Sequence, residues 1–502
     1  MAARSLMVQG TASHVGKSVL VAGLCRILVQ DGHRVAPFKA QNMALNSFVT
    51  AEGGEIGRAQ AVQAHAARIA PSVLMNPILL KPTNDTDAQV IVLGRPIGTY
   101  SATAFGVELV PALHRVVRET YERLAAEYEV LVIEGAGSPA EINLRDRDIV
   151  NMRVAEMANA PVLLVGDIDK GGVFAALVGT VDLLERAERD RIAGFIINKF
   201  RGERTLLTPG LDFLATKTGK PVFGVIPFCR DLRLPEEDAL PERLTPGRAE
   251  QSASRLRIGV VALPHLSNFT DFDPLAAEPD VGVTYIRDPE EVTAIDCLIV
   301  PGTKSTVGDL AYLHERGLAH AIVSATTHGK VVVGICGGYQ MLGTFIGDPD
   351  HVESEQDGVA GLGLLDVATH FRREKTTHQV RATCGWSGDE VAGYEIHHGV
   401  SILLDGSPPA FEIYERSGQP VRAADGARSG SGKVWGSNIH GLFDNASFRH
   451  RFLDGLWQAR GLPRPAGIQG GWDVDRECDR MAALVRAHVD MAAIYRLLDR
   501  ER

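Results

Sequence analysis

Lys330–Gly343 reads K-V-V-V-G-I-C-G-G-Y-Q-M-L-G. A mostly β-branched apolar run leads into a glycine-flanked cysteine, and an apolar-periodic helical pattern follows. That pattern is a buried strand, a tight turn and a helix, with Cys336 at the apex. Gly334 and Gly338 give the G-x-C-x-G spacing of a nucleophile elbow, where small neighbours let a side chain stand clear of a strained backbone. A helix N-terminus and a nearby imidazole would both favour thiolate at such a place. The same letters also fit a buried structural cysteine, since a free thiol is usually an inert small hydrophobe. A partner histidine elsewhere in the chain decides between the two.

Outward from this stretch, strands alternate with helices in both directions. At 502 residues the chain is too long for one core, so two or three domains are expected. Apolar content of 45% with 23% charged residues is ordinary for a globular protein. A net charge of −10 argues against nucleic acid or an anionic membrane as partner. No apolar run approaches a membrane span, and Ser5–Gln9 reads as a strand from the outset, so no signal peptide is expected. The six cysteines lack CxxC spacing, which fits a reducing cytoplasm rather than a disulfide framework or zinc site.

Residues 1–230 are expected to form one α/β unit. Strand candidates are Leu6–Gln9, Val35–Phe38, Val90–Leu93, Val130–Ile133, Val162–Val165, Ile192–Ile197 and Val222–Ile226, with helical patterns between them. This alternation predicts a mostly parallel sheet whose ligands gather at the carboxyl ends of the strands. The polar motifs fall there. Gly10–Ser18, G-T-A-S-H-V-G-K-S, follows the first strand and opens a helix. Gly10, Thr11 and Gly16 shape a phosphate cradle, Lys17 would reach the β/γ-phosphates, and Ser18 would reach Mg²⁺. Five residues rather than four separate Gly10 from Gly16, a departure from the standard loop. In V-L-V-I-E-G-A-G-S (130–138), Glu134 ends an apolar strand and is the candidate metal ligand, although capping of the next turn is an alternative. Asp167, Asp169 and Lys170 suit metal, water or phosphate contacts, or simply a solvated loop. Asn198, at a strand end, is placed to meet a purine edge.

The extra-residue loop at 10–18, E-G-A-G at 134–137 and Asn198 together resemble the dethiobiotin synthetase-like ATPase fold. Enzymes of that fold phosphorylate a carboxylate and let nitrogen displace the phosphate. P-F-K-A-Q-N-M (37–43), N-P-I-L-L-K-P (76–82), E-I-N-L-R (141–145) and D-I-D-K-G-G (167–172) narrow this to a resemblance to the cobyric acid synthase family, glutamine-dependent amidases of cobalamin biosynthesis. For such a reaction cations must converge on the transferring phosphoryl group, with Lys17, Lys39 and Lys81 as candidates. Gln41 and Asn42 offer neutral donors and acceptors for substrate or metal.

Residues 231–255, with three prolines and dense charge, read as a linker. A second α/β unit is expected over 256–446, and a helical segment over 447–502. Pro301–Thr306, P-G-T-K-S-T, ends a strand; its backbone at Gly302 is placed to meet a developing oxyanion together with the N–H of Gly337, or else forms an ordinary helix cap. In W-G-S-N-I-H-G-L-F-D (435–444), His440 is the leading general base for Cys336. C-G-G-Y-Q (336–340) and H-G-L-F (440–443) resemble class I glutamine amidotransferase modules. That resemblance implies attack of Cys336 on the glutamine amide, a thioester, and release of ammonia, with Gly302 and Gly337 as oxyanion contacts. Many such modules carry Glu two residues after the histidine, where this chain has Leu442. Glu395 is therefore the expected orienting partner, with Asp444 or a bare Cys–His dyad as alternatives. His397 and His398 are read as structural or substrate-proximal.

The combined expectation is a cytoplasmic, ATP- and Mg²⁺-dependent ligase that takes glutamine and a corrinoid carboxylate, with homo-oligomerisation left open. By resemblance the substrate is adenosylcobyrinic acid a,c-diamide, amidated at several peripheral carboxylates. A cobyrinic acid a,c-diamide synthase is the close alternative. A P-loop scaffold ATPase with a degenerate amidotransferase domain is the distant one.

Overall fold

The computed structural model describes residues 3–83, 86–229, 232–235, 255–404, 408–463 and 472–499. Two compact units result: Met1–Ala44, Glu55–Asp238 and Asp473–Arg502 form the first, and Leu45–Gly54 with Ala239–Trp472 the second. These limits differ from the sequence-based ones in two places. Leu45–Gly54 lies within the N-terminal stretch yet folds into the second unit, and the end of the chain returns to the first. Of the expected linker, only 232–235 and 255 lie within the described residues.

The first unit is built on a six-stranded parallel sheet in the order Val222–Pro227, Ile192–Phe200, Val162–Asp167, Arg4–Gly10, Val130–Glu134, Val35–Phe38. Central strands buried on both faces must be apolar throughout, and V-L-V-I in Val130–Glu134 is buried along its whole length. Six of the seven strand candidates belong to this sheet. The seventh, around Val90, instead joins a small mixed sheet of Gln41–Met43, Ile78–Pro82, Asp87–Val92 and Arg95–Ser101. The helix Lys17–Gln30 is apolar nearly all round, and the returning helices Val474–His488 and Met491–Leu498 explain why. Leu24, Ile27 and Leu28 share a core with Met481, Val485, Ile494 and Leu497. Only the start of the segment expected at 447–502, the helix Ala446–Ala459, packs in the second unit, through Phe448, Leu453 and Trp457.

The second unit has a sheet in the order Val281–Ile286, Leu256–Val261, Cys297–Val300, Val331–Ile335, Val434–Ser437, Ala427–Arg428, parallel except for the last pair. Beside it runs an antiparallel sheet around a long hairpin, Val367–Cys384 with Glu390–Leu403. Sequence patterning shows only fragments of this hairpin, because F-R-R-E-K-T-T-H-Q carries charges where a half-buried strand would alternate.

Candidate functional site

In the first unit the strand Arg4–Gly10 delivers the loop 11–16 to the N-terminus of the helix Lys17–Gln30. Thr11 N–H donates to Val165 O at 2.9 Å, which ties the loop to the neighbouring strand. Gly16 is left-handed (φ 95°), and a methyl group there would lie 2.2 Å from Asn198 Nδ2. Only glycine fits both demands. Asn198 donates from Nδ2 to Val15 O at 2.9 Å, so its amide nitrogen braces the phosphate loop rather than standing open for a purine. Lys17 Nζ bridges Ala12 O (2.9 Å) and Gly137 O (3.0 Å), folded across the mouth of the loop.

Glu134 is the centre of this site. Its Oε1 accepts from Ser18 Oγ and Lys39 Nζ, both at 2.8 Å. Its Oε2 accepts from Gln63 Nε2 at 2.5 Å and, more distantly, from Gln60 Nε2 at 3.5 Å. Burial alone would raise this carboxyl. The Lys39 ammonium and the hydrogen bonds from Lys39, Gln63 and Ser18 together outweigh burial and hold it below its ordinary value. The Gln63 Oε1 is buried without a hydrogen-bond partner. An orphaned amide oxygen beside a carboxylate and a helix-start hydroxyl is an oxygen donor set of the kind Mg²⁺ selects, so these residues fit that ion. Asn42 joins the cluster by donating to Gln60 Oε1 at 2.9 Å. Gln41 sits half-buried on the adjoining strand Gln41–Met43.

Lys81 does not share this cluster. Its Nζ is 2.7 Å from Glu55 Oε1 in a buried ion pair, a partner that the sequence reading did not foresee. Asp167 pairs with Lys199 (3.1 Å) and Asp169 with Arg201 (2.6 Å), so these acids hold a salt-bridged loop; Lys170 is exposed. Sequence reasoning missed Asn151, whose Oδ1 accepts from Ala136 N at 3.1 Å and whose Nδ2 donates to Ala136 O at 2.7 Å. It fastens the E-G-A-G turn, and a methyl group on Gly135 would collide with it.

In the second unit the strand Val331–Ile335 ends at Cys336, which has φ 50° and ψ −114°, and the helix Gly337–Leu342 follows at once. The strained elbow requires its glycines. A methyl group on Gly334 would lie 2.6 Å from Tyr339 Cα, and one on Gly338 only 1.9 Å from Val300 O. Gly338→Ala must therefore push the strand Cys297–Val300 away from the elbow. It is expected to destabilise the chain by several kcal/mol, about the range of severe overpacking, and to yield little folded protein on thermal melting.

Cys336 Sγ lies 3.8 Å from Ile396 O, and the His440 imidazole is near enough to act on its thiol electrostatically. A methyl group added at Gly302 would lie 3.0 Å from His440 Cε1 and 3.6 Å from Cys336 Cβ, and one at Gly337 3.3 Å from Thr303 N. Gly302 and Gly337 thus lie beside the nucleophile. His440 Nδ1 lies 2.6 Å from Asp271 Oδ2, and Gly441 N–H donates to the other carboxylate oxygen at 3.1 Å. Burial lowers the imidazole's pKa, but Asp271 and the Cys336 thiolate outweigh it and push it up to about 10. Burial raises the thiol, yet His440, His397 and the Gly337 N–H bring it below its ordinary value. Both shifts favour a thiolate–imidazolium pair over the neutral one.

The orienting carboxylate is Asp271, not Glu395. The register explains the correction: Tyr394 lies opposite His440 and Glu395 opposite Ile439. Successive side chains alternate faces, so Tyr394 stacks on the His440 ring at 5.2 Å while Glu395 points to the other side. There it accepts from Arg416 Nε and Nη2 at 2.8 and 2.9 Å, with His397 at 3.6 Å. Asp444 lies exposed in the short turn Leu442–Asp444. His398 is tied through Nδ1 to Arg372 O, a structural role, whereas His397 is buried beside Glu395, near enough to Cys336 to feel its charge. Asp271 is 169 residues from His440 in sequence; its one signal was its place in the polar loop after the strand Leu256–Val261.

Residues 6–241 match the family model described as CobQ/CobB/MinD/ParA nucleotide binding domain, and residues 257–448 match the CobB/CobQ-like glutamine amidotransferase domain. A cobyric acid synthase of Pelotomaculum thermopropionicum is 52% identical, over 99% of this chain and 97% of that one. Those of Syntrophobacter fumaroxidans (51%; 99% and 99%) and Klebsiella pneumoniae (50%; 98% and 98%) align equally fully. Among the described residues no helix is long and apolar enough to cross a membrane. With a nucleotide-binding unit, an amidotransferase unit and full-length relatives of one kind, the chain belongs to the cobyric acid synthase family.

Proposed function

We propose that this chain is an ATP- and glutamine-dependent amide ligase acting in the cytoplasm on the peripheral carboxylates of adenosylcobyrinic acid a,c-diamide. One observation carries the reading: a single chain holds both an intact Cys336–His440–Asp271 relay and a phosphate loop with Glu134 facing Ser18. An intact relay disfavours a scaffold ATPase with a degenerate second domain. The six cysteines are all free, which suits a reducing compartment.

In the amidotransferase unit the Cys336 thiolate adds to the amide carbon of glutamine. His440 passes the thiol's proton to the departing nitrogen, ammonia leaves, and the thioester remains. Water, deprotonated by the neutral imidazole, then releases glutamate. Backbone N–H groups around Gly302 and Gly337 would take the oxyanion in both steps. In the other unit a substrate carboxylate oxygen attacks the γ-phosphorus of ATP and ADP departs, leaving an acyl phosphate. Ammonia attacks its carbonyl carbon, phosphate leaves with the bonding pair, and the surplus proton goes to solvent. Lys17 and Lys39 supply positive charge to the transferring phosphoryl group. Ser18, Glu134 and Gln63 would hold Mg²⁺, which when bound neutralises charge on the β- and γ-phosphates.

The test is mass spectrometry of the corrin a,c-diamide after incubation with Mg·ATP and ¹⁵N-amide glutamine. Several successive replacements of hydroxyl by labelled amino groups are expected. Glutamate release with an unchanged corrin would sink the substrate assignment, and amidation restricted to the a and c positions of the unamidated acid would favour the diamide synthase.

A separate expectation concerns the orienting carboxylate. Asp271→Asn removes the charge that raises the His440 pKa, so the ion pair with Cys336 should survive over a narrower pH range. Glutamine-dependent turnover is expected to fall about 10²–10⁴-fold, by analogy with loss of the triad carboxylate in other hydrolases. Glu395→Gln should cost far less. Steady-state glutaminase assays of the two variants side by side check this, and a larger loss in the Glu395 variant would reverse the assignment.

A further inference from the structure

Asn268 is buried, left-handed (φ 53°), and immediately precedes the turn Phe269–Phe272 that carries Asp271. Its side-chain amide has one end that only accepts and one that only donates. The backbone N–H of Ser47, a pure donor, lies 2.9 Å from Oδ1. That orientation turns Nδ2 toward His440, 3.3 Å from Nε2. Ser47 is itself held fast. Its carbonyl accepts from Tyr394 Oη at 3.2 Å, the neighbouring Asn46 Oδ1 accepts from Phe269 N at 3.1 Å, and Val49 O accepts from Gln379 Nε2 at 2.9 Å. The Phe48 ring packs at 5.4 Å against Tyr394, the residue stacked on His440.

With Nδ1–H donated to Asp271, the His440 Nε2 carries a lone pair when the ring is neutral and a proton when it is an imidazolium. An amide NH₂ directed at Nε2 suits only the first state. Once the Cys336 proton moves to Nε2, two donors face each other.

We propose that Asn268 is a positioning residue that opposes formation of the Cys336–His440 ion pair while Ser47 grips Oδ1, and that release of this grip lets the amide turn, present Oδ1 to Nε2–H and favour the thiolate further. The only bond changes are transfer of the thiol proton to Nε2 and exchange of hydrogen bonds at the amide. This rests on the reading of Cys336 and His440 as the hydrolytic pair. The segment Leu45–Gly54 is continuous through Ala44 and Glu55 with the nucleotide-binding unit.

The charged groups facing the pair are Asp271 from the Phe269–Phe272 turn, His397 backed by Glu395 and Arg416, Asp425 beside them, and Asp444 near Gly441. Substitution at 268 leaves all of them in place.

The test is the pH dependence of iodoacetamide alkylation at Cys336 in the full chain, resolved from the other cysteines by peptide mass spectrometry. Asn268→Asp replaces the donor with a second acceptor. Asn268→Gly deletes the amide, and glycine accepts φ 53° without strain. Both midpoints are expected to fall below wild type, by about one pH unit for Asn268→Asp, a roughly tenfold gain in alkylation rate below the wild-type midpoint. The shift for Asn268→Gly should be smaller. Glutamine hydrolysis without nucleotide or corrinoid should rise in parallel. A residue that merely filled space would slow alkylation at every pH and move no midpoint. Midpoints that stay at the depressed wild-type value, or rise, overturn the role of Asn268. A wild-type midpoint at the ordinary thiol value would instead overturn the hydrolytic pair, and this inference with it.

Discussion

Cys336→Ala is expected to abolish glutamine-dependent amidation while leaving amidation with ammonium nearly intact. The nucleophile and its base act as a unit, so deletion of the thiol should cost on the order of 10⁶-fold in glutamine turnover, effectively to background. The nucleotide-binding unit has its own core and its own polar cluster around Glu134, none of which includes Cys336. Alkaline ammonium supplied to the variant should therefore restore corrin amidation, read by the same mass-spectrometric assay. Equal loss with both nitrogen sources would show that the two chemistries are not separable, and the two-site reading would fall.

Glu134→Gln is expected to do the opposite. Amidation should vanish with either nitrogen source while glutamine hydrolysis persists, because the variant loses the carboxylate that pairs with both Ser18 and Lys39. Stability should fall as well. Lys39 and Glu134 are almost wholly buried, and removing one charge of a buried pair costs about 3–5 kcal/mol. The pH dependence follows from the sign of the shift. A carboxyl held below its ordinary value of 4.5 stabilises the fold fully above that value and loses its contribution as pH falls through the folded value. Urea titrations of wild type and variant should therefore differ most near about pH 7 and converge in strong acid. A gap that widens on acidification would mean that Glu134 is protonated in the folded chain, which the Lys39 contact contradicts.

Much of the site was legible because it is local. A phosphate loop, an acid-ended strand and a nucleophile elbow are each contiguous, and each is dictated by where a strand stops, a helix starts and a Cβ cannot fit. Gly16, Gly334 and Gly338 are glycines for reasons that a few neighbouring residues nearly determine, and the close approaches of Gly16 to Asn198 and of Gly338 to Val300 complete them. Lys39 could be named as a cation but not paired, since its partner Glu134 lies 95 residues away on another strand. Lys81 looked equivalent in sequence, and only the fold shows that Glu55 claims it.

By itself, then, the sequence determined the α/β class of both units, the loop from strand to helix at 10–18, the tight turn at Cys336 and the family. Tertiary structure alone decided the third member of the relay and the path of Leu45–Gly54. The long charged hairpin Val367–Cys384 and Glu390–Leu403 sets a register that turns Tyr394 toward His440 and Glu395 away. A one-residue alternation of faces is invisible until the strand pairing is known. Asp271 takes the place on Nδ1 because the turn after a different strand folds over the ring, a proximity that no spacing within the chain records.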